Sequence, residues 1–119
     1  MTIEGRINFL TIYTRKLEEC REFYTALLGE PLIREQHGNS PVHYSTRIGD
    51  AIIEFYPTRG EATKLRIGVI VDSLEETLAR VHEKYPLSYT SPRDPTNCRI
   101  RLICDPDKRQ VEVQYRGEK

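Results

Sequence analysis

The chain has 119 residues, with 18 basic and 18 acidic side chains and a formal net charge of zero. This length suits one domain with one modest core, and the balanced charge argues against nucleic acid or anionic lipid as partners. No apolar run approaches the ~18–20 residues that span a bilayer, and residues 1–6 contain no signal-peptide core. We therefore expect a single domain over residues 1–119 with no membrane partner.

The cysteine pattern bears on the redox compartment and on metal binding. Cys20, Cys98 and Cys104 are an odd number of thiols without CxxC spacing. Such a pattern favours reduced thiols in a cytoplasmic protein over a disulfide frame or a zinc site. Cys20 and Cys104 stand at apolar positions, and we expect both in the core.

Residues 7–57 form a first predicted unit, with one amphipathic helix between a strand and a group of three short strands. Leu17, Cys20, Tyr24 and Leu27 recur at helical spacing, and Gly29 stands where a C-terminal cap is expected. Gly38-Asn39-Ser40 and Gly49-Asp50 supply turns. The predicted elements are a strand at 7–14, a helix at 17–28, and strands at 32–37, 42–48 and 51–56.

Residues 65–115 repeat the same order after a polar linker at 58–64. Ser73 and Glu76 have capping-box spacing at the start of the second helix, and Pro86 ends it. The predicted elements are strands at 65–71, 87–89, 98–104 and 110–115, a helix at 74–85 and a loop at 91–97. A duplicated unit of this kind predicts an α+β fold.

Four segments in register resemble the vicinal-oxygen-chelate superfamily, which includes glyoxalase I, bleomycin-resistance proteins and extradiol dioxygenases. They are LEECREFYTALLG at 17–29, IIEF at 52–55, IVDSL at 70–74, and Asp105-Pro106-Asp107 followed by Val111-Glu112. The resemblance implies two βαβββ modules, which form a half-open mixed sheet around a central cup with one helix per module on the outside. It also implies a homodimer. It does not fix a reaction.

Side chains alternate across a strand, so each predicted strand can be divided into a cup face and a helix face. In the last strand of each half, this alternation directs Glu54 and Glu112 into the cup. The other residues expected to face the cup are Phe9, Thr11, Tyr13, His43, Ser45, Arg47, Ile52, Tyr56, Arg66, Gly68, Ile70, Arg99, Arg101, Ile103, Gln110 and Gln114.

Members of the family that bind a metal take one ligand from each of four strands, and by resemblance those positions here are Phe9, Glu54, Arg66 and Glu112. Phenylalanine has no ligand atom, and a guanidinium stays protonated. Asn8, one residue away, is expected on the wrong face. We therefore expect no metal and no cofactor, with Arg66 bridging Glu112, and Glu54 as a further partner, in place of the ion.

Candidate catalytic groups are Glu54 and Glu112 as acid–base groups and His43 as a base near neutral pH. His37 and His82 are expected at the surface. Because four arginines would face two glutamates, an anionic ligand is one expectation, and aromatic stacking is another. The candidate ligand-binding residues are Arg66, Arg47, Arg101, Tyr13, Tyr56, Phe9 and Gln114.

Three functions remain open from the sequence. The first is a metal-free, glyoxalase/bleomycin-resistance-like protein that binds a small anionic or aromatic molecule in the cup. The second is an isomerase or lyase of the same superfamily that uses Glu54 and Glu112. The third is a non-catalytic structural module whose cavity is closed by salt bridges.

Overall fold

The structure, a computed structural model, describes residues 4–86, 91–94 and 97–117. Two helices and eight strands follow one another in the order strand, helix and three strands, twice over. They are β1 (Phe9–Thr14), α1 (Leu17–Leu28), β2 (Ile33–Glu35), β3 (His43–Ile48), β4 (Ala51–Pro57), β5 (Ile67–Val71), α2 (Leu74–Lys84), β6 (Ser91–Asp94), β7 (Asn97–Cys104) and β8 (Gln110–Tyr115).

The strands form two four-stranded mixed sheets of identical topology. The first has the order β1-β4-β3-β2 and the second the order β5-β8-β7-β6. In each sheet the first and last strands of the module pair in parallel, and the remaining neighbours are antiparallel. The predicted α+β class and both βαβββ modules are thereby confirmed.

Local sequence explains where the helices begin and end. The Ser73 hydroxyl accepts a hydrogen bond from the backbone N–H of Glu76 at 3.2 Å, which caps α2 as its sequence predicts. Gly29 follows α1 with φ of 76°, a left-handed conformation that a residue without Cβ adopts at little cost. Neither described helix has the length and apolar composition needed to cross a bilayer.

The core lies between each sheet and its helix, and the two helices also pack against each other. The ring of Tyr24 on α1 stacks on Phe55 of β4, with centroids 4.8 Å apart. Cys20 is buried in this core as predicted, whereas Cys104 is exposed, so its predicted core position is wrong. The remaining buried apolar residues include Ile12, Phe23, Leu27, Val81, Ile103, Val111 and Val113.

Two predictions for the second half need separate mention. The loop predicted at 91–97 is wrong, because β6 occupies Ser91–Asp94 and pairs antiparallel with β7. Pro92 misled the prediction, since a proline is tolerated in an edge strand, and β6 is one. The strand predicted at 87–89 lies outside the described residues.

Candidate functional site

Each sheet turns one face towards its helix, and the opposite face is called here the open face. In module one, Ile12 and Phe55 are buried on the helix side. Strand register then places Thr11 opposite Glu54, and Tyr13 opposite Tyr56, on the open face. The prediction that these side chains share one face is therefore confirmed by the pairing of β1 with β4.

Glu54 sits at the middle of the open face of module one. Its carboxylate accepts a hydrogen bond from the Thr11 hydroxyl at 2.9 Å, and Ser45 lies opposite it on β3. Glu54 is half-buried and forms no ion pair with any described residue. Arg47, opposite Ile52 on the same face, is exposed.

An aromatic row crosses the open face of module one, defined by His43, Tyr56 and Tyr13. The imidazole of His43 stacks on Tyr56 with centroids 4.0 Å apart and planes inclined by 10°, and Tyr13 lies 6.3 Å beyond. Partial removal from water, and then the Glu54 charge, raise the pKa of Tyr56, so its hydroxyl stays protonated. Phe9, 55% exposed, continues the apolar surface along β1.

Module two carries the equivalent carboxylate, Glu112, opposite Gly68 in the register of β5 with β8. A guanidinium nitrogen of Arg66 lies 3.6 Å from a Glu112 carboxylate oxygen, so the predicted partnership is present. The Arg66 side chain is 63% exposed, and at this exposure the pair adds less than about 1 kcal/mol to stability. Gln114 lies on the same open face, opposite Ile70.

The two modules of one chain do not form a continuous sheet. Glu54 belongs to the first sheet and Glu112 to the second, and within the described chain no strand of one sheet pairs with a strand of the other. The modules meet instead through α1 and α2. The sequence predicted Glu54 as a further partner of Arg66. In the structure Arg66 contacts Glu112, whereas Glu54 is hydrogen-bonded to Thr11, so this second part of the prediction is wrong.

The prediction that Arg99, Arg101 and Ile103 face the cup is wrong. Register places Arg101 opposite Val113 and Ile103 opposite Val111, and both valines are fully buried on the helix side. Packing of Ile103 in this core fixes the alternation of β7, which turns Cys104 outward. Of the four arginines predicted to face the cup, only Arg47 and Arg66 lie on the described open faces. The positive charge that favoured an anionic ligand is therefore half of what the sequence predicted.

The sequence reasoning missed a buried polar cluster, called here the clamp, at the start of β8. Asp105 and Arg109 are 0% and 4% exposed, and a guanidinium nitrogen donates to the Asp105 carboxylate at 2.7 Å. The Tyr24 hydroxyl donates to the same carboxylate at 2.6 Å. Arg109 also lies 3.0 Å from Asp107, which accepts a hydrogen bond from the Thr14 hydroxyl.

The clamp connects the second module to the first. Arg109 donates to the backbone carbonyl of Tyr13 at 2.7 Å and to that of Thr63 at 2.8 Å. Asp105 accepts from the backbone N–H groups of Asp107 and Arg109 at 2.9 and 2.8 Å. No spacing rule links an arginine in the last turn to a carbonyl 96 residues earlier, so only the folded chain reveals it.

The clamp residue Tyr24 and the neighbouring buried thiol of Cys20, which lies 3.3 Å from the Thr14 hydroxyl, predict a loss of stability at alkaline pH. Burial raises the pKa of the Cys20 thiol to about 12, and burial, followed by the Asp105 charge, raises the pKa of Tyr24. Because these folded-state values lie above the unfolded ones, their contribution is complete below about pH 8.5 and is lost as pH rises. We expect Cys20 alone to lower the free energy of unfolding by up to about 1.4 kcal/mol per pH unit above that point.

Urea denaturation at pH 8 and pH 10.5 measures this loss. We expect Cys20→Ala to lose less stability between the two pH values than the parent protein. Cys104→Ala, at an exposed position, should retain the parent slope. Equal slopes in all three proteins would contradict the assignment to Cys20.

Comparison with known proteins agrees with the duplicated fold. The sequence model of the Glyoxalase/Bleomycin resistance protein/Dioxygenase superfamily matches residues 6–113. No curated protein sequence gives a significant match.

Solved structures of very different sequence share the fold. TnmS3, an antibiotic binding protein from Streptomyces sp. CB03234, is 15% identical with a TM-score of 0.70, over 98% of this chain and 100% of its own. The fosfomycin resistance protein FosX from Mesorhizobium loti is 18% identical with a TM-score of 0.67, over 98% and 95%. Lactoylglutathione lyase from Agrobacterium tumefaciens is 16% identical with a TM-score of 0.61, over 96% of each chain.

At these identities the structural similarity establishes the fold and not a ligand or a reaction. The family match, in contrast, covers nearly the whole chain and both modules. The chain therefore belongs to the glyoxalase/bleomycin resistance protein/dioxygenase superfamily.

Proposed function

We propose that this protein binds a small organic molecule with a planar apolar body, and that it does so without a metal at the family's chelate position. The observation that carries the proposal is the accessible part of the aromatic row, Tyr56 and Tyr13, which continues to the exposed ring of Phe9, while buried His43 supports the Tyr56 ring from behind. Stacking on aromatic faces recognises planar ligands. Antibiotic binding, named for the structural neighbour TnmS3, is compatible with such a role.

The donor set at the chelate position supports the absence of a metal there. Phe9 offers no lone pair, and Arg66 brings a fixed positive charge next to Glu112. The two remaining carboxylates are a poor donor set for zinc or iron. Glu54, held by Thr11, is instead free to accept a hydrogen bond from a ligand hydroxyl or amine.

A second copy of the chain would complete the cup. β1 and β5 are edge strands of their sheets, and exposed apolar side chains flank them on the open faces, including Phe9 and Ile70. The radius of gyration is 15.2 Å, whereas a compact chain of this length has about 13.5 Å. A homodimer in which module one of one copy faces module two of the other would cover both surfaces and bring Glu54 towards Glu112.

An acid–base enzyme is the second candidate. One observation favours it: Glu54 and Glu112 hold equivalent register positions, opposite Thr11 and Gly68, and both are half-buried on open faces. Such carboxylates are positioned to move a proton on a bound substrate, as an isomerase or lyase requires. This candidate would be excluded if a compound bound both to the parent protein and to the Glu54→Gln variant and was recovered chemically unchanged from each.

Binding of 2-naphthol and 2-naphthoate, measured by calorimetry, tests the proposal. We expect at least one to bind, and Tyr56→Ala to weaken that affinity about fivefold or more, since a stacking contact contributes about 1 kcal/mol. Arg99→Ala is the control, because Arg99 lies in β7 away from the aromatic row. Analytical ultracentrifugation of the same protein reports the expected dimer.

Two results would overturn the proposed function. The first is failure of both naphthalene compounds, and of their neutral and charged analogues, to bind at millimolar concentration. The second is stoichiometric binding of Zn²⁺, Fe²⁺ or Mn²⁺ that Glu54→Gln and Glu112→Gln abolish, because that dependence would place a metal at the chelate position.

A further inference from the structure

The β2–β3 hairpin brings together two imidazoles and a carboxylate. Glu35 ends β2 and His43 begins β3 directly opposite it, while His37 lies in the turn between them. The Nε2 atom of His43 is 3.3 Å from a Glu35 carboxylate oxygen, and that of His37 is 3.8 Å from the same oxygen. One ligand atom from each residue lies within 4.8 Å of the other two.

His43 is buried with an unused ring nitrogen. Its side chain is 0% exposed, and its Nδ1 lies 3.2 Å from the backbone carbonyl of Pro41. Because a carbonyl only accepts, Nδ1 carries the hydrogen, and the lone pair of the neutral ring is then on Nε2. Nε2 makes no hydrogen bond with any described residue.

This arrangement calls for a cation at Nε2. A bare imidazole nitrogen next to a carboxylate oxygen places two acceptors face to face, which a proton or a metal ion between them relieves. The Pro41 carbonyl fixes the tautomer, and the stacked ring of Tyr56 fixes the orientation of the imidazole. Outer-shell contacts of this kind accompany histidine ligands in metal sites.

The donor set identifies the class of metal. Two neutral nitrogens and one carboxylate oxygen suit Zn²⁺ and its neighbours Co²⁺, Ni²⁺ and Cu²⁺, whereas Mg²⁺ and Ca²⁺ prefer oxygen alone. Metal–ligand bonds of ~2.0–2.1 Å place tetrahedral ligand atoms ~3.3–3.4 Å apart. The His43–Glu35 separation already has this length. The His37–Glu35 distance is 3.8 Å and the remaining pair lies within 4.8 Å, so the 69% exposed side chain of His37 would have to move closer to His43 as the ion binds.

We propose that Glu35, His37 and His43 bind one divalent transition-metal ion of the zinc class. The site lies on β2, its turn and β3, away from the chelate position of Phe9, Glu54, Arg66 and Glu112. The hairpin binds the ion whether or not the cup takes an organic molecule, so the two proposals fail separately.

The test uses untagged protein freed of metal with a chelator, at pH 7.5 and with the metal alone as the probe. Calorimetry with Zn²⁺ measures stoichiometry and affinity, and Co²⁺ absorption in the visible range reports nitrogen and oxygen ligation. We expect one equivalent per chain. His37→Ala and Glu35→Gln should each weaken Zn²⁺ binding at least about tenfold, which is the lower end of the loss seen when even an outer-shell partner is removed.

Matched controls separate this site from other metal sites. His82→Ala removes an exposed histidine on α2, and Glu54→Gln removes the open-face carboxylate; both should keep the parent affinity. His37 is exposed, so its alanine variant is expected to fold, and circular dichroism checks this. Zn²⁺ affinity weaker than millimolar in the parent protein, or equal affinities of His37→Ala and His82→Ala, would overturn the proposal.

Discussion

Replacing Arg109 with alanine should lower the free energy of unfolding by about 3–5 kcal/mol, because it leaves the buried Asp105 carboxylate without its positive partner. The same change removes the donors to the Tyr13 and Thr63 carbonyls, which then lie near the module boundary with fewer hydrogen bonds. Urea denaturation followed by circular dichroism measures the loss. Arg109→Lys keeps the positive charge but not the planar set of donors. We therefore expect the stability of this variant to lie between those of the parent protein and Arg109→Ala.

Arg59→Ala is the matched control, since Arg59 is exposed in the linker. A substitution of that kind changes stability by no more than about 0.5 kcal/mol. A double-mutant cycle with Asp105→Ala should give a coupling energy in the range of contacting residues, about 0.5–3 kcal/mol. Equal stabilities of Arg109→Ala and Arg59→Ala would show that the clamp contributes nothing to folding.

Replacing Phe23 with alanine should cost about 3–5 kcal/mol, the range for removing a fully buried aromatic ring. Phe23 is 0% exposed in α1. Its ring makes edge-to-face contacts with Tyr24 at 4.9 Å and with Tyr85, at the end of α2, at 5.8 Å. The cavity would therefore open where the helices of the two modules meet, and thermal unfolding should begin at a markedly lower temperature.

Phe9→Ala removes the same ring from an exposed position on β1 and should change stability by less than about 1 kcal/mol. Its effect should appear instead in the affinity for 2-naphthol or 2-naphthoate. Opposite outcomes, with Phe9 essential for stability and Phe23 dispensable, would reverse the assignment of the core and open faces.

Regular patterns allowed much of the fold to be predicted. Helical spacing and Gly29 placed α1 at its observed limits, 17–28, and turn residues separated β3 from β4. The duplicated order predicted two βαβββ modules and the equivalence of Glu54 with Glu112, which register confirms. The helix and turn signals are local in the sequence, and the module order occurs twice, so both could be recognised without knowledge of long-range contacts.

Long-range packing decides what could not be predicted. The facing of Arg101 depends on Ile103 packing with Val111 across the sheet, and a strand with apolar residues on both sides gives no sign of that choice. His37 and His43 are six residues apart, one in a loop and one in a strand, and only the folded hairpin brings both to Glu35. Because these contacts join a strand to a neighbouring strand or to a turn, alternation within one strand could not reveal them.

The clamp also affects whether the two repeats of this chain can fold independently of each other. Arg109, close to the end of the second repeat, satisfies the Tyr13 carbonyl in the first strand of the first repeat. Asp107 likewise accepts a hydrogen bond from the Thr14 hydroxyl, at the same end of that strand. A fragment that stopped in the linker would lose both contacts, although the Thr14 hydroxyl would keep its bonds to Lys16 and Cys20. We therefore expect the first repeat to be less stable alone than within the whole chain, so that duplication has not left two fully independent halves.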